Sequence, residues 1–151
     1  MEVEKFDDPK GFRRVADPLL LADEAANNLI LGVSGDAAGA RPPYETFVGW
    51  VVRETDTIVA AAAQTPPHNL ILARSESKGA IETLAAVIED IPGVVGTVPE
   101  VETFVAHHPE RQRTIRQGIY RLTQVRVSLD PDGCRRATDS DNELLIDWML
   151  D

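Results

Sequence analysis

The sequence predicts an α/β (α+β) fold, in which a mixed, mostly antiparallel β-sheet carries helices on both faces. Three apolar, β-rich runs follow one another closely between Thr46 and Arg74. The first two are separated only by the polar stretch Thr55–Thr57, which is the pattern of a β-hairpin. The third run leads directly into a segment with helical spacing at residues 75–90, and the residues before the hairpin also show helical spacing. Helical segments therefore flank a short run of strands.

Length and composition are those of an ordinary globular domain. The chain has 151 residues, of which 43% are hydrophobic and 26% charged. This is enough apolar material for one domain with its own core. The formal net charge is −10, and so acidic a surface repels phosphate backbones. We therefore expect no nucleic-acid partner. The charge suits solubility, or a cationic substrate.

The sequence gives no sign of export or of a membrane span. The N-terminal stretch MEVEKFDDPKGF is acidic and lacks the apolar segment of a signal peptide. No apolar run approaches the roughly 20 residues that a membrane-spanning helix needs. Cys134 is the single cysteine, so the chain has no intrachain disulfide, which fits a reducing compartment. We therefore expect a cytoplasmic protein without a membrane partner.

Two Asp-Pro pairs predict two helices before the hairpin. An aspartate can accept from the free N–H groups of a first helical turn, and a proline in that turn loses no hydrogen bond. Asp8-Pro9 predicts a short helix to about Ala16, and Asp17-Pro18 predicts a second one to about Val33.

Two asparagines lie in the middle of the second predicted helix, where they are poor helix formers. We expect Asn27 and Asn28 to face solvent; the alternative is that one of them bonds to a neighbouring element. Gly32 and Gly35 are expected to close this helix, and Ser34–Pro43 is expected to form a loop.

The strands have an unusual composition at one place. Phe47–Arg53 and the run from Ile58 are expected to form the hairpin, and Asn69–Ala73 a third strand. The second run contains four successive alanines, residues 60–63, although alanine is a weak strand former. Small side chains there would let a helix, or a ligand, lie close to the sheet. We expect close helix packing.

The helix after the third strand is the clearest in the sequence. Ser77 is the expected N-cap. The apolar residues that follow fall on one helical face: Ile81, Leu84, Ala85 and Ile88. A short strand at residues 94–98 and a helix that opens at Pro99 are expected next.

The C-terminal part predicts a long strand and the beginning of a new unit. Gly118–Leu129 is expected to be the longest strand, followed by a turn at Asp130–Gly133. Thr138–Asp141 fits a capping box, and Leu144, Leu145 and Trp148 begin an apolar helical face. We therefore predict a domain at residues 1–129 and the truncated start of a second unit at residues 130–151, with the hypothesis that a second domain follows.

The predicted order of elements resembles the GNAT (GCN5-related) N-acetyltransferase superfamily, and in detail proteins with two such units in tandem. The passages LLLADEAANNLILG, FVGWVVRE, AAAAQTPPHNLILA and GIYRLTQV look like parts of a first unit. The tail GCRRATDSDNELLIDWMLD looks like the opening strand and helix of a second unit. The resemblance covers about residues 10–151.

The resemblance implies acetyl-CoA as cofactor and an amine as acyl acceptor. In this family a loop of the form Q/R-x-x-G-x-G/A opens a helix, so that backbone N–H groups and the helix N-terminus approach the pyrophosphate. The equivalent stretch here is ARSESKGAIETL, which lacks the pair of glycines. Ser77, Lys78 and Gly79 are the candidates for cofactor binding. Arg74 lies five residues before the glycine instead of three.

No catalytic residue is assigned. The family often uses a glutamate as general base, acting through water, and a tyrosine that protonates the thiolate. Nothing in the sequence fixes Tyr44 or Tyr120 near such a thiolate. The histidines His68, His107 and His108 lack the i, i+4 spacing of a helical metal site, so no metal site is predicted.

The resemblance favours a non-catalytic N-terminal unit of a GNAT-type N-acetyltransferase. In the tandem group the first unit commonly lacks a working acetyl-CoA site, and the second carries it. The expected partner is thus the second unit of the same polypeptide, with a homodimer also possible and the amine substrate unidentified. One alternative is that this chain binds acetyl-CoA and is itself active. The other is a stand-alone interaction module.

Overall fold

A computed structural model describes residues 1–108, 114–124 and 135–150. Within these residues the chain divides into two compact units, Met1–Tyr120 and Arg121–Asp151, which are described separately. Five strands of the first unit form one sheet in the order β1-β2-β3-β4-β5. They are β1 (Glu2–Phe6), β2 (Val48–Glu54), β3 (Thr57–Gln64), β4 (Leu70–Leu72) and β5 (Val94–Val95). The first four pair antiparallel in succession, and β5 pairs parallel with β4.

Helices cover both faces of this sheet, which confirms the predicted fold class. They are α1 (Pro9–Ala22), α2 (Asn28–Ala37), α3 (Lys78–Val87) and α4 (Val98–Val105). The α1 and α2 helices pack on one face in a core that includes Phe12, Leu20 and Ile30. The α3 and α4 helices pack on the other, with Leu84 and Phe104 at its centre.

The alanines of β3 explain how two helical layers come so close to one sheet. Ala61 and Ala63 face α1 and α2, whereas Ala60 and Ala62 face α3 and α4. All four are completely buried, so the expectation of close helix packing is confirmed. Gly49 on β2 serves the same purpose, because a Cβ atom there would lie 2.4 Å from the Phe12 ring.

The N-terminal region differs from the prediction in two ways. The acidic stretch Glu2–Phe6, for which no strand was predicted, forms the first strand of the sheet and pairs antiparallel with β2. The first helix does not stop at Ala16, because α1 continues through Pro18 to Ala22. Its buried side chains Phe12, Ala16 and Leu20 follow one another at i, i+4 and i+8, so packing across the proline offsets its helix-breaking cost of about 3 kcal/mol.

The second helix starts and ends later than predicted. α2 begins only at Asn28 and runs to Ala37, so both Gly32 and Gly35 lie inside it and the first residues of the expected loop are helical. Gly35 has a packing reason, since a Cβ atom there would lie 2.9 Å from the Arg13 guanidinium.

The predictions for the central region are confirmed. The β2–β3 hairpin turns at Thr55 and Asp56, and Thr55 has a positive φ of 54°. The α3 helix begins after Ser77, as expected, and buries the predicted apolar face. The short β5 strand and the α4 helix follow.

The long strand predicted at Gly118–Leu129 is not seen in its described part. Residues 114–124 have no regular secondary structure, and Ile119, Tyr120 and Leu122 are between 57% and 94% exposed. Strand preference reflects packing against neighbours, and side chains as exposed as these gain little from such packing. Residues 125–129, the predicted turn at 130–133 and Cys134 lie outside the described residues.

The second unit contains one described helix, α5 (Asn142–Leu150), which follows a 3-10 turn at Asp139–Asp141. The predicted capping box is confirmed, with Thr138 and Asp141 bonded to each other. Within this unit the apolar side chains of the helix are solvent-exposed, Trp148 by 68% and Met149 by 86%. No helix among the described residues is long and apolar enough to cross a membrane.

Candidate functional site at the start of the third helix

The predicted cofactor-binding residues lie where β4 leads into α3. β4 ends at Leu72, and residues 73–77, here called the β4–α3 loop, cross to the first turn of the helix. Ser77 is the N-cap, and its side-chain oxygen accepts a hydrogen bond from the Ala80 N–H at 3.3 Å. The geometry thus gives Ser77 the structural role that its position in the sequence predicts.

Arg74 is held by residues between α1 and α2. Its backbone N–H donates to the side-chain oxygen of Asn27 at 2.8 Å, and its guanidinium contacts the Asp23 carboxylate at 2.6 Å. Asn27 is 2% exposed, and its amide N–H₂ donates to the Leu20 carbonyl at 3.0 Å. The expectation that both asparagines face solvent is therefore wrong for Asn27 and right for Asn28, which is exposed.

Ser75 connects the loop to the sheet. Its hydroxyl donates to the Val59 carbonyl at 2.6 Å and accepts from the Ser77 N–H at 3.0 Å. Val59 lies at a bulge, because the β2–β3 register changes from Val52 opposite Ala60 to Arg53 opposite Ile58. A bulge leaves the extra residue unpaired in the ladder. The hydrogen bond from the Ser75 hydroxyl therefore gives the Val59 carbonyl the partner that the ladder does not provide.

A buried carboxylate from α4 completes the loop. The Ser75 N–H donates to Glu100 Oε1 at 2.9 Å, and the Thr97 hydroxyl donates to Glu100 Oε2. Glu100 is only 4% exposed. No lysine or arginine among the described residues lies within ion-pair distance of it. Two neutral donors, and no cation, therefore hold this carboxylate.

The sequence prediction did not identify Glu100, although a signal exists. Thr97 and Glu100 match the capping-box pattern at the start of α4. That pattern predicts a local bond from Glu100 back to the Thr97 N–H. In the structure the carboxylate instead reaches Ser75, which lies 25 residues earlier in the chain.

Lys78 and Gly79 occupy the first turn of α3. Their backbone N–H groups have no acceptor in the described part of the chain. The Lys78 ammonium is exposed and lies 3.7 Å from the Glu82 carboxylate. A Cβ atom on Gly79 would lie 3.5 Å from the Met1 Cε, which is ordinary van der Waals contact. The structure does not require a glycine at this position.

The site as a whole has little remaining capacity to bind an anion. A helix N-terminus with open N–H groups attracts anions, and two such groups remain here, the backbone N–H groups of Lys78 and Gly79. In the preceding loop, however, the N–H groups of Arg74, Ser75 and Ser77 already donate to side chains of the chain itself. A pyrophosphate would have to displace these bonds to be held by more than the first turn of α3.

The other candidate chemistry is dispersed. Tyr44 is half-buried with its ring 6.3 Å from that of His68, and Tyr120 is 94% exposed. His108 stacks on Phe104 with the ring centroids 5.0 Å apart. Over residues 1–108, 114–124 and 135–150, no three His, Cys, Asp or Glu side chains are placed to hold a metal ion.

The comparisons with known proteins give no match: no family model, no curated protein and no solved structure is significantly similar to this chain.

Proposed function

We propose that this chain is the N-terminal, non-catalytic unit of a GNAT-type N-acetyltransferase. The observation that carries the proposal is the internal satisfaction of the β4–α3 loop. Acetyl-CoA binding in this family depends on open N–H groups where that loop enters the helix. Here the backbone N–H groups of the loop already donate hydrogen bonds to side-chain oxygens of the same chain. Arg74 donates to Asn27, Ser75 to Glu100, and Ser77 to Ser75.

The order of elements supports the assignment to this family. A strand and two helices precede an antiparallel β2–β3 hairpin, β4 runs directly into α3, and β5 and α4 follow. β5 pairs parallel with β4 by only two residue pairs. The resemblance implies that a strand near this loop splays from its neighbour and holds the pantetheine arm by backbone hydrogen bonds, and the short β4–β5 pairing is compatible with such a splay.

The role of such a unit is to pack against a catalytic unit and to help shape its acceptor site. In the full protein, acyl transfer from acetyl-CoA to an amine would then take place in the second unit. The single cysteine of the chain agrees with a cytoplasmic location for it.

A second candidate is that the chain itself binds acetyl-CoA and is active. Two observations favour it: the open N–H groups of Lys78 and Gly79, and the exposed Lys78 side chain beside them. Together they form a small anion-attracting turn. A third candidate, a stand-alone interaction module, is favoured by the exposed apolar side chains of α5, such as Trp148 and Met149.

Calorimetry of the purified chain with acetyl-CoA separates the first two candidates. We expect no saturable heat. A micromolar dissociation constant, which corresponds to about −8 kcal/mol, would overturn the proposal and favour an active enzyme. Lys78→Ala is the matched control, because binding at the α3 start should weaken in this variant, whereas binding elsewhere should not.

A further inference from the structure

The feature that calls for an explanation is a buried carboxylate without a cation. Glu100 is 4% exposed, and no positively charged side chain of the described residues pairs with it. Burying a charge is costly unless hydrogen bonds or an opposite charge compensate it. The two donors that compensate it are the Ser75 N–H and the Thr97 hydroxyl.

These donors have the chemistry of an anion-binding position. A backbone N–H at a strand-to-helix connection and a hydroxyl at the N-cap of α4 point at one carboxylate, which also lies in the first turn of α4. The positive end of the α4 helix dipole favours negative charge there. Backbone N–H groups and hydroxyls at helix N-termini are also the donors that hold carboxylate and phosphate groups of bound molecules.

We propose that Glu100 is an internal anionic ligand of the β4–α3 loop, occupying the position that a carboxylate or phosphate group of a bound molecule would take. This inference rests on the proposed function, because it names the residue that keeps the loop of the non-catalytic unit closed to acetyl-CoA. It also explains why the Glu100 carboxylate does not accept from the backbone N–H of Thr97, as a capping box would require, although it does accept from the Thr97 hydroxyl.

The test asks whether acetate, which carries the missing carboxylate, restores the thermal stability of a variant that lacks the Glu100 side chain. Glu100→Ala removes the carboxylate and leaves the Ser75 N–H without an acceptor, so we expect a lowered Tm. Sodium acetate should refill the position and raise the Tm saturably, by about 4–7 °C at roughly ten times its dissociation constant. Acetamide has the same shape but no charge, and should raise the Tm by much less.

Three controls isolate the position. Glu102→Ala removes another glutamate of α4, one that is exposed and 3.5 Å from Arg116, and should show no acetate response. The native chain and Glu100→Gln, in which the space is filled, should show none either. Equal rescue by acetate and acetamide, or no rescue at all, would overturn the proposal.

A measurement on the native chain keeps the proposal testable if Glu100→Ala does not fold. With inorganic pyrophosphate as the probe, the backbone amide resonance of Ser75 should stay unchanged at millimolar concentrations. A saturable shift of that resonance would show that Glu100 does not close the position. Failure of the proposed function would appear separately, as acetyl-CoA binding in the calorimetry of the native chain.

Discussion

Two helices of this chain begin with hydrogen-bonded caps that are built in opposite ways. The loop before α3 is held by bonds from Arg74 to Asn27 and from Ser75 to Val59 and Glu100, which span 47, 16 and 25 residues. The start of α5 is held by bonds among Arg135, Thr138 and Asp141, none spanning more than six residues.

The difference shows where each helix start draws its stability. The loop before α3 is held by the connection between α1 and α2, by β3 and by α4. The start of α5 is specified by its own sequence and is largely exposed. Changes in the first should therefore affect the folding of the whole first unit, and changes in the second should affect only the local helix.

The largest effect is expected at Asn27. Asn27→Ala leaves the Arg74 N–H and the Leu20 carbonyl without their partner, and each unpaired buried group costs about 1–3 kcal/mol. We therefore expect a loss of about 2–4 kcal/mol in the free energy of unfolding, measured by urea denaturation. Asn28→Ala is the control, and should cost no more than about 0.5 kcal/mol because its side chain is exposed. Similar losses for the two variants would contradict the structural role of Asn27.

A smaller effect is expected at the α3 N-cap. Ser77→Ala removes the acceptor of the Ala80 N–H and should lower the free energy of unfolding by about 1 kcal/mol. Thr138→Ala removes an equivalent cap before α5 and should leave the unfolding of the first unit unchanged. The two variants can be compared by urea denaturation monitored by near-UV circular dichroism. A Thr138→Ala loss as large as that of Ser77→Ala would mean that the two helix starts are not independent.

The smallest effect is expected at Gly79. An added Cβ meets only Met1, at ordinary contact distance, and φ is not positive at this glycine. Gly79→Ala should therefore leave the stability unchanged or raise it by up to about 1 kcal/mol, through the higher helix propensity of alanine. A clear loss of stability in thermal unfolding would mean that Gly79 has a packing role that the contacts do not account for.

The sequence predicted those parts of the fold that depend on local pattern. The β2–β3 hairpin, the Ser77 cap and the Thr138–Asp141 capping box follow from residues within a few positions of one another. The edge strand at Glu2–Phe6 was missed because its partner, β2, lies more than 40 residues later in the chain.

The candidate site also depends on contacts between distant segments, which local sequence patterns do not predict. Its residues Ser77, Lys78 and Gly79 are adjacent in sequence and could be named in advance. Asn27 and Glu100 decide whether the loop is open, and both reach it from distant segments. A pattern such as Thr97-x-x-Glu100 predicts a glutamate in the first helical turn, but it does not predict that the carboxylate turns towards another loop.

A pH titration of Asp141 tests whether the start of α5 is stabilised locally, in contrast to the start of α3. The hydrogen bonds from the Arg135 side chain, and then from the Thr138 backbone, hold the pKa of the Asp141 carboxyl well below its usual range. Since the pKa is lower in the folded cap than in the unfolded chain, the cap is fully stabilised above the ordinary aspartate value of about 3.9. Its contribution is lost only as the pH falls through the lower, folded value.

We therefore expect the Thr138 amide resonance to keep its hydrogen-bonded position at about pH 3, where an ordinary aspartate is mostly protonated. Arg135→Gln removes the largest cause of the shift and should move the midpoint of the titration up towards the ordinary value. Asp141→Asn should abolish the titration and reduce the helical content of α5 at neutral pH. A Thr138 amide that titrates at the ordinary aspartate value in the native chain would mean that the Arg135–Asp141 contact does not persist in solution. The start of α5 would then lack the local stability that distinguishes it from the start of α3.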